Sequence, residues 1–158
     1  MAEFTDKPAV VAALLGRLQA RCDTGFALAV HIRYTRPSLL YRTYARDWVD
    51  HYSEKGFMLS DPTVHWGLSN NGAMDWAELT AQDPEGIIQA ARDHGLANGW
   101  TYATGPATSR SLGSMTNRTP FAPDARSDIC QILDDIHRET DHFETFPLQV
   151  QEALRNLM

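Results

Sequence analysis

Between Tyr41 and Trp76 the chain gathers seven large aromatic residues around one Asp-Pro pair: Tyr41, Tyr44, Trp48, Tyr52, Phe57, Trp66 and Trp76 flank Asp61-Pro62. Phenol and indole rings join an apolar body to a hydrogen-bonding tip, so such a set can wall a small-molecule pocket and still donate into it. The carboxylate would supply the complementary acceptor. A plainer account uses the same residues: Asp61 caps a helix, Pro62 sits in its first turn, and the rings are core. Spacing alone favours the cap.

Other chemistries find less support. His31, His51, His65, His94, His137 and His142 never fall four apart, the interval that pairs two ligands on one helix face, so no metal site is expected. There is no G-x-S-x-G elbow for a serine nucleophile and no glycine-rich phosphate loop. Asp134-Asp135 lies in a charged helical stretch and reads as a solvated face. Cys22 and Cys130 are too few and too distant for a disulfide framework. The chain is not expected to be an enzyme or to carry a cofactor.

The elements that must position these residues follow from periodicity. Val10, Val11, Leu14, Leu15 and Leu18 recur with helical spacing between Thr5 and about Arg21. FALAVHIRY and SLLYRTYA read as two strands that pair as a hairpin. RDWVDHYSEKG places Trp48 and Tyr52 on one face of a helix that Gly56 ends. A short helix begins at Asp61-Pro62, and MDW around Trp76 reads as extended. A helix capped by Asp83 is predicted from about Pro84 to His94, then strands WTYAT and SLGSMTN, then a long helix after Pro123. This order predicts an α+β fold, an α/β/α three-layer sandwich with a largely antiparallel sheet of about five strands.

The 158 residues fit one domain, which at this size buries roughly 68–70% of its unfolded surface. Fourteen Lys and Arg against 20 Asp and Glu give a net charge of −6, and no basic cluster is visible. Direct binding of nucleic acid is therefore not expected. The first residues lack a basic leader and the run AVVAALL is too short to cross a bilayer, which predicts a cytoplasmic protein with no membrane contact.

Tyr44, Trp48, Tyr52, Asp61-Pro62-Thr63, Trp76 and Gly99, at these intervals, resemble the autoinducer-binding domain of LuxR-type quorum-sensing transcriptional regulators. The likeness runs from about Phe4 to Phe143, and the ordered motif Y-x3-W-x3-Y, then D-P-T-V, then W is far more specific than any single residue. The resemblance implies a sensor that encloses an N-acyl homoserine lactone, a neutral, elongated autoinducer with a polar lactone head, one amide N–H and an apolar chain. Trp48 would donate to the lactone carbonyl, Asp61 would accept the amide N–H and Tyr44 would donate to the amide carbonyl. Trp76 would pack on the lactone ring, while Tyr52, Val64, Leu28 and Val30 would border the acyl chain. Thr63 belongs to the same motif. Gly99 would allow close backbone approach, Thr101 would be a polar pocket residue, and Ser114, with Ser111 as the fallback, would supply a hydroxyl. Tyr34, Leu39, Leu40 and Trp66 could lengthen or plug the apolar end. A buried Asp61 would need donors around it before any ligand arrives.

The resemblance also divides the chain, with residues 1–145 as the autoinducer-binding domain and 146–158 as a linker or the start of an absent helix-turn-helix domain, through which alone DNA would be reached. It implies a homodimer. A second expectation is a protein lacking the helix-turn-helix that acts by heterodimerisation or senses a non-lactone signal.

Overall fold

Strand alternation decides which side of the sheet is core and which is site. The computed structural model describes residues 2–158, with side chains from residue 4 onward. Helices α1 (Ala2–Thr5) and α2 (Lys7–Arg21) lead into strands β1 (Gly25–Arg33) and β2 (Arg36–Arg42). Then come α3 (Arg46–Glu54), α4 (Pro62–Ser69), β3 (Gly72–Asp75), α5 (Ile87–Asp93), β4 (Trp100–Thr104), β5 (Arg110–Thr116), α6 (Pro123–Glu139) and α7 (Leu148–Arg155). The strands form one antiparallel sheet in the order β2-β1-β5-β4-β3. The α+β class and the five-stranded antiparallel sheet are those expected.

On one face Phe26, Leu28 and Val30 of β1 meet Leu14, Leu15 and Leu18 of α2 and Ile129, Ile132 and Ile136 of α6, forming the main core. On the other face the helices α3, α4 and α5 cover a smaller aromatic cluster around Trp48 and Trp76. Leu28 and Val30, expected beside the acyl chain, thus belong to the opposite layer. Period-two alternation leaves Ala27 and Ala29 on the α3–α5 side, and their small side chains leave room there.

The alternation is broken once. The register of β1 against β5 shifts between Ala29 and Ile32, and His31 takes a φ of 49°, unusual for a side-chain-bearing residue. The bulge is held from far along the chain: the His31 N–H donates to Ser111 Oγ at 3.0 Å, Nε2 donates to the His137 carbonyl at 2.8 Å, and Nδ1 meets Ser109 Oγ at 2.8 Å. The His31 and His137 rings stack at 4.1 Å, and His137 Nδ1 lies 2.6 Å from Ser111 Oγ. Burial, with His31 adjacent, depresses the His137 pKa. One extra residue re-aims the strand beyond it, so Ile32 joins Ala103 and Leu112 on the α3–α5 side.

Several boundaries differ from expectation: the first helix is split at Asp6, and Trp76, expected to be extended, opens a 3-10 stretch to Gln82. Helix α5 starts at Ile87 rather than Pro84, because Gly86 turns with φ 66° while the Asp83 carboxylate accepts the N–H groups of Ile87 (2.9 Å) and Ile88 (2.8 Å). The division expected between residues 145 and 146 is not a break in packing. Phe146, Val150 and Leu154 are buried in the main core, and Tyr41 donates its hydroxyl to the Leu154 carbonyl at 2.7 Å. The helical spacing of 148–158 was visible, but not the surface of β2 and α2 that receives it. Among the described residues, no helix is long and apolar enough to cross a membrane.

Candidate functional site

The space left by Ala27 and Ala29 is a cavity of about 340 Å³ between the sheet and α3, α4 and α5. Strand register orders its floor. Ser114 of β5 lies opposite Ala27, and Leu112 lies opposite Ala29 one step along. Ile32 follows past the bulge, opposite Pro37. The floor therefore runs from a hydroxyl at one end to purely apolar side chains at the other.

The polar end is built around Asp61, which is buried. Asp61 is the N-cap of α4: its Oδ1 accepts the Thr63 N–H at 2.9 Å and the Thr63 hydroxyl at 2.7 Å. Its Oδ2 accepts the Tyr52 hydroxyl at 2.7 Å. Cap and pocket residue are thus one group, not alternatives. A carboxylate offers about four lone-pair sites, so one remains for an N–H donor in the cavity. Tyr52, expected along an acyl chain, borders the cavity with its ring and also spends its hydroxyl proton on fixing this carboxylate.

A second chain of hydrogen bonds fixes Ser114. Trp76 Nε1 donates to Thr101 Oγ1 at 3.0 Å, and Thr101 Oγ1 lies 2.8 Å from Ser114 Oγ. Thr101 is fully buried, so its own proton must be used within the protein, and Ser114 Oγ is the acceptor at hand. The Ser114 proton is then free to donate into the cavity. Tyr44 donates to the Ser114 backbone carbonyl at 3.0 Å. Trp48 stands beside it on α3, its ring 5.8 Å from that of Tyr52, and among the described residues its indole N–H has no hydrogen-bond partner.

Burial raises the pKa of both phenols far above the usual value; the charge of Asp61 adds to this at Tyr44 after that of Cys22, and at Tyr52 together with the hydrogen bond. Both remain donors at neutral and moderately alkaline pH. Burial also pushes the Cys22 thiol up to about 12 and that of Cys130 to about 11, so neither is a thiolate at neutral pH. Among the described residues no cluster of His, Cys, Asp or Glu is arranged to hold a metal ion.

Of the ten residues singled out from sequence, Tyr44, Trp48, Tyr52, Asp61, Thr63, Val64, Trp76 and Ser114 border the cavity. Thr101 and Gly99 do not. Thr101 lies under the Trp76 indole and acts through it and through Ser114. Gly99 does provide close approach, but to Trp76: a Cβ there would lie 2.1 Å from the indole Cε3, while the Gly99 carbonyl accepts the Trp76 N–H at 3.0 Å. Gly99→Ala is expected to cost about 1–3 kcal/mol, the scale of overpacking a tight site, read as a lower urea midpoint with an unchanged slope. Ser111, the fallback hydroxyl, bonds to His31 and His137 on the other side of the sheet.

Among residues named as shaping the apolar end, Leu40 borders the cavity, Leu39 lies in the main core and Trp66 packs among the clusters behind it. Tyr34 is fully exposed at the hairpin tip. Ala27, Ala29, Ile32, Ile87, Ile88 and Ala91 line the cavity and were not anticipated. For Ala27 and Ala29 the signal was present, since assigning Phe26, Leu28 and Val30 to the core forces their neighbours to the other face.

Comparison with known proteins places this arrangement. The family model described as "Autoinducer binding domain" matches residues 22–137. The chain is similar to the regulatory protein SdiA of Escherichia coli, with 31% identity over 87 residues, covering 54% of this chain and 35% of SdiA. It is also similar to the transcriptional activator protein SolR of Ralstonia nicotianae, with 29% identity over 72 residues, covering 45% of this chain and 30% of SolR. The matches thus span about a third of these relatives. A structure of SdiA in complex with octanoyl-rac-glycerol superposes with a TM-score of 0.62 at 22% identity, covering 89% of this chain and 60% of that one, and shares the fold.

Proposed function

Since this chain belongs to the autoinducer-binding domain family, we propose that it is the sensor domain of a LuxR-type quorum-sensing regulator whose cavity takes an N-acyl homoserine lactone. The observation that carries this reading is the Asp61 carboxylate with three donors in place and one acceptor position left over. A ligand with a single amide N–H fills that position. The unpartnered Trp48 indole and the free Ser114 proton serve the carbonyls on either side, and the floor of Ala29, Leu112 and Ile32 receives the chain. The octanoyl ester bound by SdiA combines a polar head with an acyl tail in the same way.

The domain binds its ligand and releases it unchanged, as a cytoplasmic homodimer that reaches DNA through a separate domain. Trp48 and Trp76 both border the cavity, so their fluorescence should change saturably with octanoyl homoserine lactone at one ligand per chain. An unchanged spectrum, together with an unchanged melting temperature, would remove the proposal.

Tyr44 has a smaller part than its position suggests. Its single proton already goes to the Ser114 carbonyl, so donating to a ligand exchanges one bond for another. Tyr44→Phe is expected to weaken lactone binding by less than about 1.5 kcal/mol, the upper range for one neutral hydrogen bond. Titration calorimetry beside Asp61→Asn checks that order.

A further inference from the structure

We propose that the cavity is open-ended, and that the far part of the ligand's acyl chain runs out over an apolar lip formed by Leu40, Met58 and Leu59, so that the domain favours long-chain ligands instead of measuring chain length against a closed wall. The inference rests on the reading that an acylated signal occupies the cavity. Leu40, Met58 and Leu59 all border it, yet they are 47%, 51% and 81% exposed. Single exposed apolar side chains are ordinary on a protein surface. Three that converge on the opening of an apolar cavity form a patch that something apolar would cover.

The lip is built, not loose. Gly56, with φ 63°, turns the chain out of α3 into a single 3-10 turn, Phe57–Leu59. Phe57 is buried against the rings of Trp48 and Tyr52, at 6.3 and 5.9 Å, which anchors the turn. His65 of α4 donates its Nε2 proton to the Leu59 carbonyl at 2.8 Å, fixing the outer end. With both ends tied, Met58 and Leu59 are presented outward at the opening. Across from them, Leu40 lies on the edge strand β2, opposite Ala29 of the floor. The apolar floor therefore continues directly from Ala29 to Leu40, while the exposed Thr35, Arg42 and His65 also border the cavity; the occupant that fits the apolar stretch is the continuation of the chain already lying on that floor.

Calorimetric titration with lactones from hexanoyl to dodecanoyl tests this. A fully buried methylene tightens binding about fourfold, and one resting on a half-exposed lip about twofold. Affinity should therefore rise without reversal through dodecanoyl, with a shallower slope for the last carbons. The double variant Met58→Ser, Leu59→Ser changes two exposed side chains and should bind the hexanoyl ligand within about twofold of the parent while losing about four- to eightfold for dodecanoyl, the gain from two to three methylenes on the lip. An optimum at hexanoyl or octanoyl with rejection of dodecanoyl, or a double variant that keeps the whole dodecanoyl gain, overturns the open lip and leaves the lactone reading standing. No binding by any member overturns both.

Discussion

Asp61→Asn is expected to weaken lactone binding by about 1.5–3 kcal/mol, roughly ten- to a hundredfold, the scale of a hydrogen bond to a charged group. The substitution is informative because it separates the two duties of the residue. Asparagine caps helices as well as aspartate does, and its carbonyl oxygen can keep the two bonds from Thr63. What it changes is the second oxygen, which becomes an amide NH2 facing the Tyr52 hydroxyl and the place reserved for the ligand's N–H. The Tyr52 oxygen can turn to accept from it, but at the ligand's N–H donor meets donor. Calorimetry should show the loss while the melting temperature stays within a few degrees of the parent. Equal affinity would remove Asp61 from the recognition of the head group.

Leu154→Ala is expected to destabilise the domain by about 2–5 kcal/mol, as for other large aliphatic side chains removed from a filled core. Leu154 is fully buried among residues of α2, β1 and β2, and its carbonyl is bound by the buried Tyr41 hydroxyl. Helix α7 is therefore expected to unfold together with the rest of the domain. Were residues 146–158 only an appended linker, the substitution would leave the urea midpoint unchanged. The same strand serves both sides, since Tyr41 faces α7 while its neighbours Leu40 and Arg42 border the cavity. Loss of α7 packing should thus loosen the cavity's edge strand as well.

How much of this was legible in the sequence differs by residue. Local spacing gave the pairing of Trp48 and Tyr52, four apart on α3, and the Asp61 cap of α4, whereas the pocket roles of Tyr44, Trp48 and Asp61 came from the family resemblance, since spacing alone favoured a plain cap. The layer assignment of Leu28 and Val30 was not, because both faces of β1 carry apolar residues and only the partners choose between them. The His31 bulge depends on Ser109, Ser111 and His137, 78 to 106 positions away, and no local pattern announces it. Yet it is this bulge that turns Ile32 into the cavity. Gly99 was expected to allow close backbone approach without a named partner; the group that packs there is the Trp76 ring, and nothing local says that it arrives. Tyr52 was placed beside the acyl chain by the resemblance; its ring does border the cavity, and the bond from its hydroxyl to Asp61 is a second role that no local pattern announced.

The central claim is that this cavity holds an acylated lactone and does no chemistry on it. It is tested most directly by native mass spectrometry of the protein expressed with octanoyl homoserine lactone in the medium, followed by mass analysis of the extracted small molecule. The expected result is one intact lactone per chain, retained through purification and largely lost in Asp61→Asn. A protein of unliganded mass under the same conditions, or a ring-opened or deacylated product in the extract, would contradict it.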